Sequence, residues 1–170
     1  IEFEEVHAIY IFSSRQNNIH NEANCKIEFL IENLKILDQE LSKINIPLTI
    51  IDSTGFKDNK DIILNLIKER SINKVFWNNQ FGNDEQNRDD TVTRSFKKND
   101  IEFSSYHEKV IFSPGSIRTA EDKPYSVFTP FKKKWIENFN LDLLDIEFKY
   151  LSKKKTLIES NVSDFKFKYK

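Results

Sequence analysis

The chain has 170 residues, of which 38% are hydrophobic and 31% charged, a balance typical of one soluble globular domain. The net charge of −1 gives no overall sign of nucleic-acid binding, although the basic residues are concentrated in the last forty residues. The sequence shows neither a run of about 20 apolar residues nor a signal-peptide pattern, and its single cysteine cannot form an internal disulfide. We therefore expect a cytoplasmic protein.

Strand and helix signals alternate through the first 105 residues. Short apolar runs predict strands at His7–Phe12, Pro47–Asp52, Lys74–Asn78 and Ile101–Ser105. Apolar residues at helical spacing predict helices at Asn24–Ile44, Asp58–Arg70 and about Asp84–Lys98, and a later short helix at Pro130–Phe139. Strands separated by helices of this length favour parallel pairing through right-handed crossovers. The predicted class is α/β, with a Rossmann-like, doubly wound parallel sheet in three layers.

The alternation stops after Ser105, where prolines and Gly115 break the chain into an irregular segment. Residues 140–170 are rich in lysine and only weakly periodic, as expected for a linker that leads to another domain. We therefore expect one domain over residues 1–139 and a linker over 140–170.

The usual enzyme motifs are absent from the sequence. It has only three glycines, no phosphate-binding glycine loop, no nucleophile elbow and no Cys/His spacing typical of a metal site. We expect no catalytic residue and no metal ligand in this chain.

Two polar segments follow predicted strands, at the edge where open α/β sheets bind ligands. One contains Asp84 and Glu85 at the start of a helix; these carboxylates either complement the positive helix end or face a ligand. The other contains His20 in a polar loop, where a histidine is either solvated or a ligand contact. A third segment, Lys123–Trp135, interleaves aromatics with lysines; its spacing favours packing in the core over stacking on bases.

Four segments resemble the photolyase/cryptochrome family in order and separation. The segment Lys123–Trp135 (KPYSVFTPFKKKW) is similar to the family's Y-x-V-F-T-P-F-x-x-x-W signature. The segment Tyr106–Gly115 resembles the stretch that leads into it, and Arg88-Asp89 with Val92 resembles the R-D-x-x-V helix start. Phe29–Leu41 is similar to the first long helix after the antenna loop, so the resemblance covers about residues 7–139.

The resemblance implies the N-terminal antenna domain of a folate-type photolyase that repairs cyclobutane pyrimidine dimers in UV-damaged DNA. In that family a flavin, FAD, bound to a C-terminal helical domain donates the electron, and an antenna passes light energy to it. The family's antenna histidine matches His20, and its polar pair at a helix start matches Asp84 and Glu85. We therefore expect methenyltetrahydrofolate as the antenna and no repair activity from this polypeptide alone.

The resemblance also implies a gap in the sheet. The family's first strand, with its W-F-R-x-D-L-R motif, has no counterpart before Ile1. That strand is central in the family, so its neighbours would present unpaired backbone edges. We expect the gap to be closed by direct pairing of the flanking strands, by a terminal segment, or by exchange within a homodimer. Two other functions stay open: a cryptochrome-like photoreceptor domain, and a remnant that only folds or oligomerises.

Overall fold

The computed structural model describes residues 5–53, 55, 58–141 and 158–169. In these residues the elements are β1 (Ala8–Phe12), α1 (Ser14–Ile19), α2 (Asn24–Ser42), β2 (Leu48–Asp52), α3 (Asn59–Glu69), β3 (Lys74–Asn78), α4 (Asn83–Lys98), β4 (Glu102–Tyr106) and α5 (Phe128–Asn138). The α/β class with parallel strands is confirmed, and the predicted strands and long helices begin and end within two residues of the observed ones.

The strands form two separate parallel pairs rather than one sheet. β1 pairs with β2, and β3 pairs with β4, each over five residues. Within the described residues no ladder joins β1 to β3, so direct pairing of the strands that flank the gap was a wrong expectation. Helix α3 carries the chain from one pair to the other, and Arg70 at its end donates a hydrogen bond to Thr49 of β2 (3.1 Å).

The main core lies on one face of the first strand pair. Alternate side chains of each strand point to this face. Three of them are almost fully buried there: Phe12 on β1, and Leu48 and Ile50 on β2. Helix α2 covers them with Ile27 and Leu34, two members of the apolar stripe that predicts this helix.

Residues 158–169 return to this first pair and cover the outer edge of β2. The Ile50 N–H donates to Asn161 Oδ1 (2.7 Å), and Asn161 Nδ2 donates to the Ile50 carbonyl (2.9 Å). A side-chain amide carries the same donor and acceptor as a peptide group, so Asn161 takes the place of one residue of a neighbouring strand. Phe165 and Phe167 pack edge-on against Phe12. The domain boundary at residue 139 stays a prediction, and residues 142–157 of the expected linker lie outside the described residues.

The second pair is covered on one face by α4. Phe96, which is fully buried, contacts the rings of Trp77 and Phe103. On the opposite face Phe76 and Tyr106 stack on each other with their ring centroids 6.5 Å apart, and both rings are largely exposed.

Helix α1 replaces what the sequence predicts as a polar loop. The Ser13 side chain accepts a hydrogen bond from the Gln16 N–H (3.3 Å) and caps the helix start. The helix buries none of its residues, so its sequence has no apolar periodicity from which the helix could be predicted. Across the part of the chain described, none of the helices combines the length and apolarity needed to span a bilayer.

Replacing Asn161 tests the contribution of its side chain to the edge of β2. Asn161→Ala leaves the N–H and C=O of Ile50 without their partner at a half-buried site, so we expect the free energy of unfolding to fall by about 1–3 kcal/mol. Asn161→Asp retains an acceptor but loses the donor, so it should also destabilise. Urea unfolding measures both, with the exposed Ser163→Ala as control; an Asn161→Ala protein as stable as the wild type would contradict this account.

A second prediction concerns Tyr10, whose side chain packs against the core of the first pair. Burial raises the pKa of the Tyr10 phenol above its ordinary value of 10.0. The native state therefore holds this proton more tightly than the unfolded state. The resulting stability is fully present below about pH 10 and is lost as the pH rises through the higher folded-state pKa. Urea unfolding at increasing alkaline pH should show this loss, and Tyr10→Phe should reduce it. Tyr106→Phe, which removes an exposed phenol, should leave it unchanged.

Candidate functional site at the carboxyl ends of the strands

The three predicted site residues all lie beyond the carboxyl ends of strands. His20 caps the C-terminal end of α1, the helix that follows β1. Asp84 and Glu85 lie in the first turn of α4, which follows β3 after a short loop. In open parallel sheets this edge is where ligands bind, because the loops after the strands converge there.

His20 is exposed and is held by its own helix. Its ring Nε2 lies 3.2 Å from Gln16 Nε2. The imidazole can offer a ring nitrogen and a flat ring face to a ligand at this edge.

Glu85 is half-buried and folds back onto the start of its helix. The residue at the N-cap of α4 is Gly82, which has no side chain to cap the helix. The Glu85 carboxylate occupies the space that a side chain at Gly82 would fill. Asp84, the preceding residue, is exposed. Negative charge is stabilised at a helix N-terminus, so both carboxylates suit their positions.

The next residues of α4 form a close ion pair. Arg88 Nη2 lies 2.7 Å from Asp89 Oδ1, and Arg88 Nε donates to the same oxygen at 2.8 Å. Both side chains are mostly buried. The Arg-Asp motif of this helix is thus an internal pair one turn beyond Glu85.

The loop before α4 is fixed by contacts with the segment that follows β4. The rings of Phe81 and His107 stack in parallel, 5.8 Å apart between centroids. Lys109 Nζ donates to Gln80 Oε1 at 2.6 Å, and the Asn78 amide donates to the Glu108 carboxylate. Phe81 belongs to the polar segment that was expected at this edge, whereas His107 was not expected there; its position directly after a strand end was the available signal.

The structure places the two halves of the site on different strand pairs. His20 borders the β1–β2 pair, whereas Asp84 and Glu85 border the β3–β4 pair. Among the described residues no hydrogen bond or ion pair joins His20 to either carboxylate. A ligand that touches both would therefore have to reach from one strand pair to the other.

The Glu85 carboxylate has the acceptors that the polar edge of a pterin would require. A pterin presents an amino group and a ring N–H side by side, and one carboxylate can accept both hydrogen bonds. The half-buried Glu85 carboxylate can supply these two acceptors, whereas Asp84 can accept but not donate. The described residues contain no group of three or more side chains suited to holding a metal ion.

The aromatic segment before α5 packs on itself and its neighbour. Phe112 contacts Trp135 edge-on at 5.3 Å, and Tyr125 contacts Phe131 at 6.1 Å between ring centroids. The rings therefore pair with one another, but α5 buries none of its residues and Phe128 is 72% exposed, so the expected packing of this segment in the core is not observed.

Comparison with known proteins gives one consistent family. A family model described as DNA photolyase matches residues 2–149. The deoxyribodipyrimidine photo-lyase of Buchnera aphidicola is 31% identical over 134 residues, and that of Escherichia coli is 30% identical over 130. These matches cover 78% and 76% of this chain but only 28% and 27% of the relatives.

Two solved structures share the fold. A class III photolyase from Agrobacterium tumefaciens superposes with a TM-score of 0.65 over 94% of this chain and 32% of its own, at 20% identity. An archaeal photolyase from Sulfolobus tokodaii, described with two FAD molecules, gives a TM-score of 0.63 over 78% of this chain and 28% of its own, also at 20% identity. Since the family model covers well over half of the sequence, the chain belongs to the DNA photolyase family.

Proposed function

We propose that this chain is the N-terminal, antenna-binding domain of a light-dependent deoxyribodipyrimidine photolyase, and that it binds a reduced folate, methenyltetrahydrofolate, through His20, Asp84 and Glu85. The observation that carries the proposal is the half-buried Glu85 carboxylate at the N-terminus of α4, on the ligand-binding edge of a parallel strand pair. When bound, the folate supplies light absorption.

Each residue has a distinct task in this proposal. Glu85 accepts two hydrogen bonds from the pterin, and this bidentate contact fixes the orientation of the ring. His20 contributes an N–H or its ring face from the loop that follows the other strand pair. Asp84 adds an acceptor from an exposed position, so we expect its contribution to be the smallest of the three.

We base a proposal for the activity of the whole protein on its similarity to these relatives. Their name describes the cleavage of pyrimidine dimers, so we propose UV-damaged DNA as the substrate, FAD as the electron donor in a helical domain, and the cytoplasm as the location. Residues 1–130 carry 16 basic and 21 acidic side chains, which makes them a poor surface for phosphates. The contribution of this chain is therefore light harvesting rather than DNA contact or repair.

Folate titration tests the antenna assignment. Methenyltetrahydrofolate added to the full chain should bind saturably, as followed by its absorbance. Glu85→Ala should weaken binding about tenfold or more, because a hydrogen bond to a charged group contributes about 1.5–3 kcal/mol. Glu28→Ala, which removes an exposed carboxylate from α2, should bind as the wild type does.

Gly82→Ala provides a sharper control for the same titration. A Cβ at Gly82 collides only with the flexible end of Glu85, so it displaces the carboxylate without removing its charge. We expect weaker folate binding and a free energy of unfolding within about 1 kcal/mol of the wild type. Saturable binding that neither Glu85→Ala nor Gly82→Ala alters would refute the assigned site.

Binding to DNA tests the other half of the proposal. At about 0.15 M salt, where long-range charge effects are screened, a UV-irradiated duplex should bind this chain no more tightly than the unirradiated duplex. Fluorescence anisotropy measures both, with the basic tail present in each case. A clear preference for the damaged duplex would place lesion recognition within these residues instead.

A further inference from the structure

Helix α2 carries a second apolar stripe on the side that faces away from the core. Its buried residues Ile27 and Leu34 face the first strand pair. Phe29 and Ile36 each follow one of these by two positions, which turns their side chains about 200° around the helix axis. Phe29 is 72% exposed, Ile36 57% and the neighbouring Leu37 45%. Large apolar side chains that are adjacent on an exposed surface are typical of an interaction site.

The charged residues at the two ends of this stripe complement each other. The N-terminal end has Glu22 and Lys26, which form an ion pair, and the C-terminal end has Glu40 and Lys43, which form another. Two copies of α2 in antiparallel orientation would place Lys26 opposite Glu40 and Glu22 opposite Lys43, at both ends of the pair. A parallel pair would instead place like charges opposite each other, so the charges favour the antiparallel orientation.

The same antiparallel register matches the apolar residues. The centre of the pair lies between Glu32 and Asn33, so Phe29 of one copy packs against Ile36 and Leu37 of the other. The Asn33 side chain has two N–H donors, and one of them donates to the Phe29 carbonyl (2.7 Å). The other can donate to Glu32 of the second copy. A polar residue at the centre of a helix pair fixes its register and orientation.

We propose that the outer face of α2 is a self-association surface, which packs against the same face of a second copy of this chain in antiparallel orientation. We define this outer face by Phe29, Ile36 and Leu37, with the charged pairs at its two ends. A two-fold contact of this kind uses the same patch on both copies and closes on itself, so it forms dimers and not fibres. Its centre buries three apolar side chains from each copy, fewer than a standard interface of about 1,600 Å² contains, so we expect a weak, reversible dimer.

Sedimentation of the full chain between about 10 µM and 1 mM tests this proposal, because that range detects weak association. We expect a reversible equilibrium between monomer and dimer. Phe29→Glu places a charge at the centre of the contact and should weaken association by about tenfold or more. Phe128→Glu is the matched control, since Phe128 on α5 is also 72% exposed, and this variant should associate as the wild type does.

A charge exchange tests the antiparallel register. Lys26→Glu places two carboxylates opposite each other at both ends of the pair. It should therefore weaken association severalfold at about 0.05 M salt, where exposed charges are little screened. Adding Glu40→Lys to this variant restores opposite charges across the interface and should restore association. Positions 26 and 40 are about 21 Å apart along one helix, so this recovery can arise only between two copies.

Association that Phe29→Glu leaves unchanged, or that the double variant fails to recover, would refute the outer face as the contact. A chain that remains monomeric up to about 1 mM would refute it as well. Urea unfolding of Phe29→Glu, at a concentration where the chain is monomeric, should give the wild-type midpoint. A clearly lower midpoint would show that this face packs within the chain, which also overturns the proposal. None of these measurements involves folate, His20 or Glu85, so their outcome is independent of the antenna proposal.

Discussion

The structure depends on one constraint, which is that every peptide group in a parallel strand must find a partner on one edge or the other. On the outer edge of β2 the constraint is met by a side chain: Asn161 imitates a strand residue and bonds both backbone groups of Ile50. That contact joins residues 111 positions apart and brings Val162 and two phenylalanines into the core. On the inner edge of β1 no described residue has this role. Within the described residues, only the outer edge of the first pair is thus covered.

Strand pairing also determines where the residues of the candidate site lie. The chain crosses from β2 to β3 through α3, so His20 follows a strand of the first pair and Glu85 follows a strand of the second. Their separation is therefore controlled by what holds the two pairs apart, which includes the packing of α3 against α4 and the Arg70–Thr49 hydrogen bond.

Local patterns predicted the elements well, because an apolar stripe or a short apolar run is encoded within one segment. Ile27 and Leu34 are buried where the stripe of α2 places them. Helix α1 was missed because its stability comes from the Ser13 cap and not from a buried face. Asn161 and the Phe81–His107 stack could not be predicted, since each depends on segments distant in sequence that meet only in the folded chain. The residues of the candidate site were predicted from the family resemblance. The sequence did not predict that His20 and Glu85 lie on separate strand pairs, because this depends on the absence of a ladder between β1 and β3 in the described residues.

Glu85 was expected either to complement the positive end of its helix or to face a ligand. Its carboxylate can do both. Gly82 leaves the start of α4 without a side-chain cap, and Glu85 folds into that space. A carboxylate has two oxygens with about four acceptor sites. The charge of the carboxylate can therefore complement the helix N-terminus while both oxygens keep acceptor sites for the two N–H groups of a pterin. If Glu85 serves only the helix, Gly82→Ala should displace its carboxylate with little effect on the protein. If Glu85 also orients a pterin, the same displacement should weaken pterin binding.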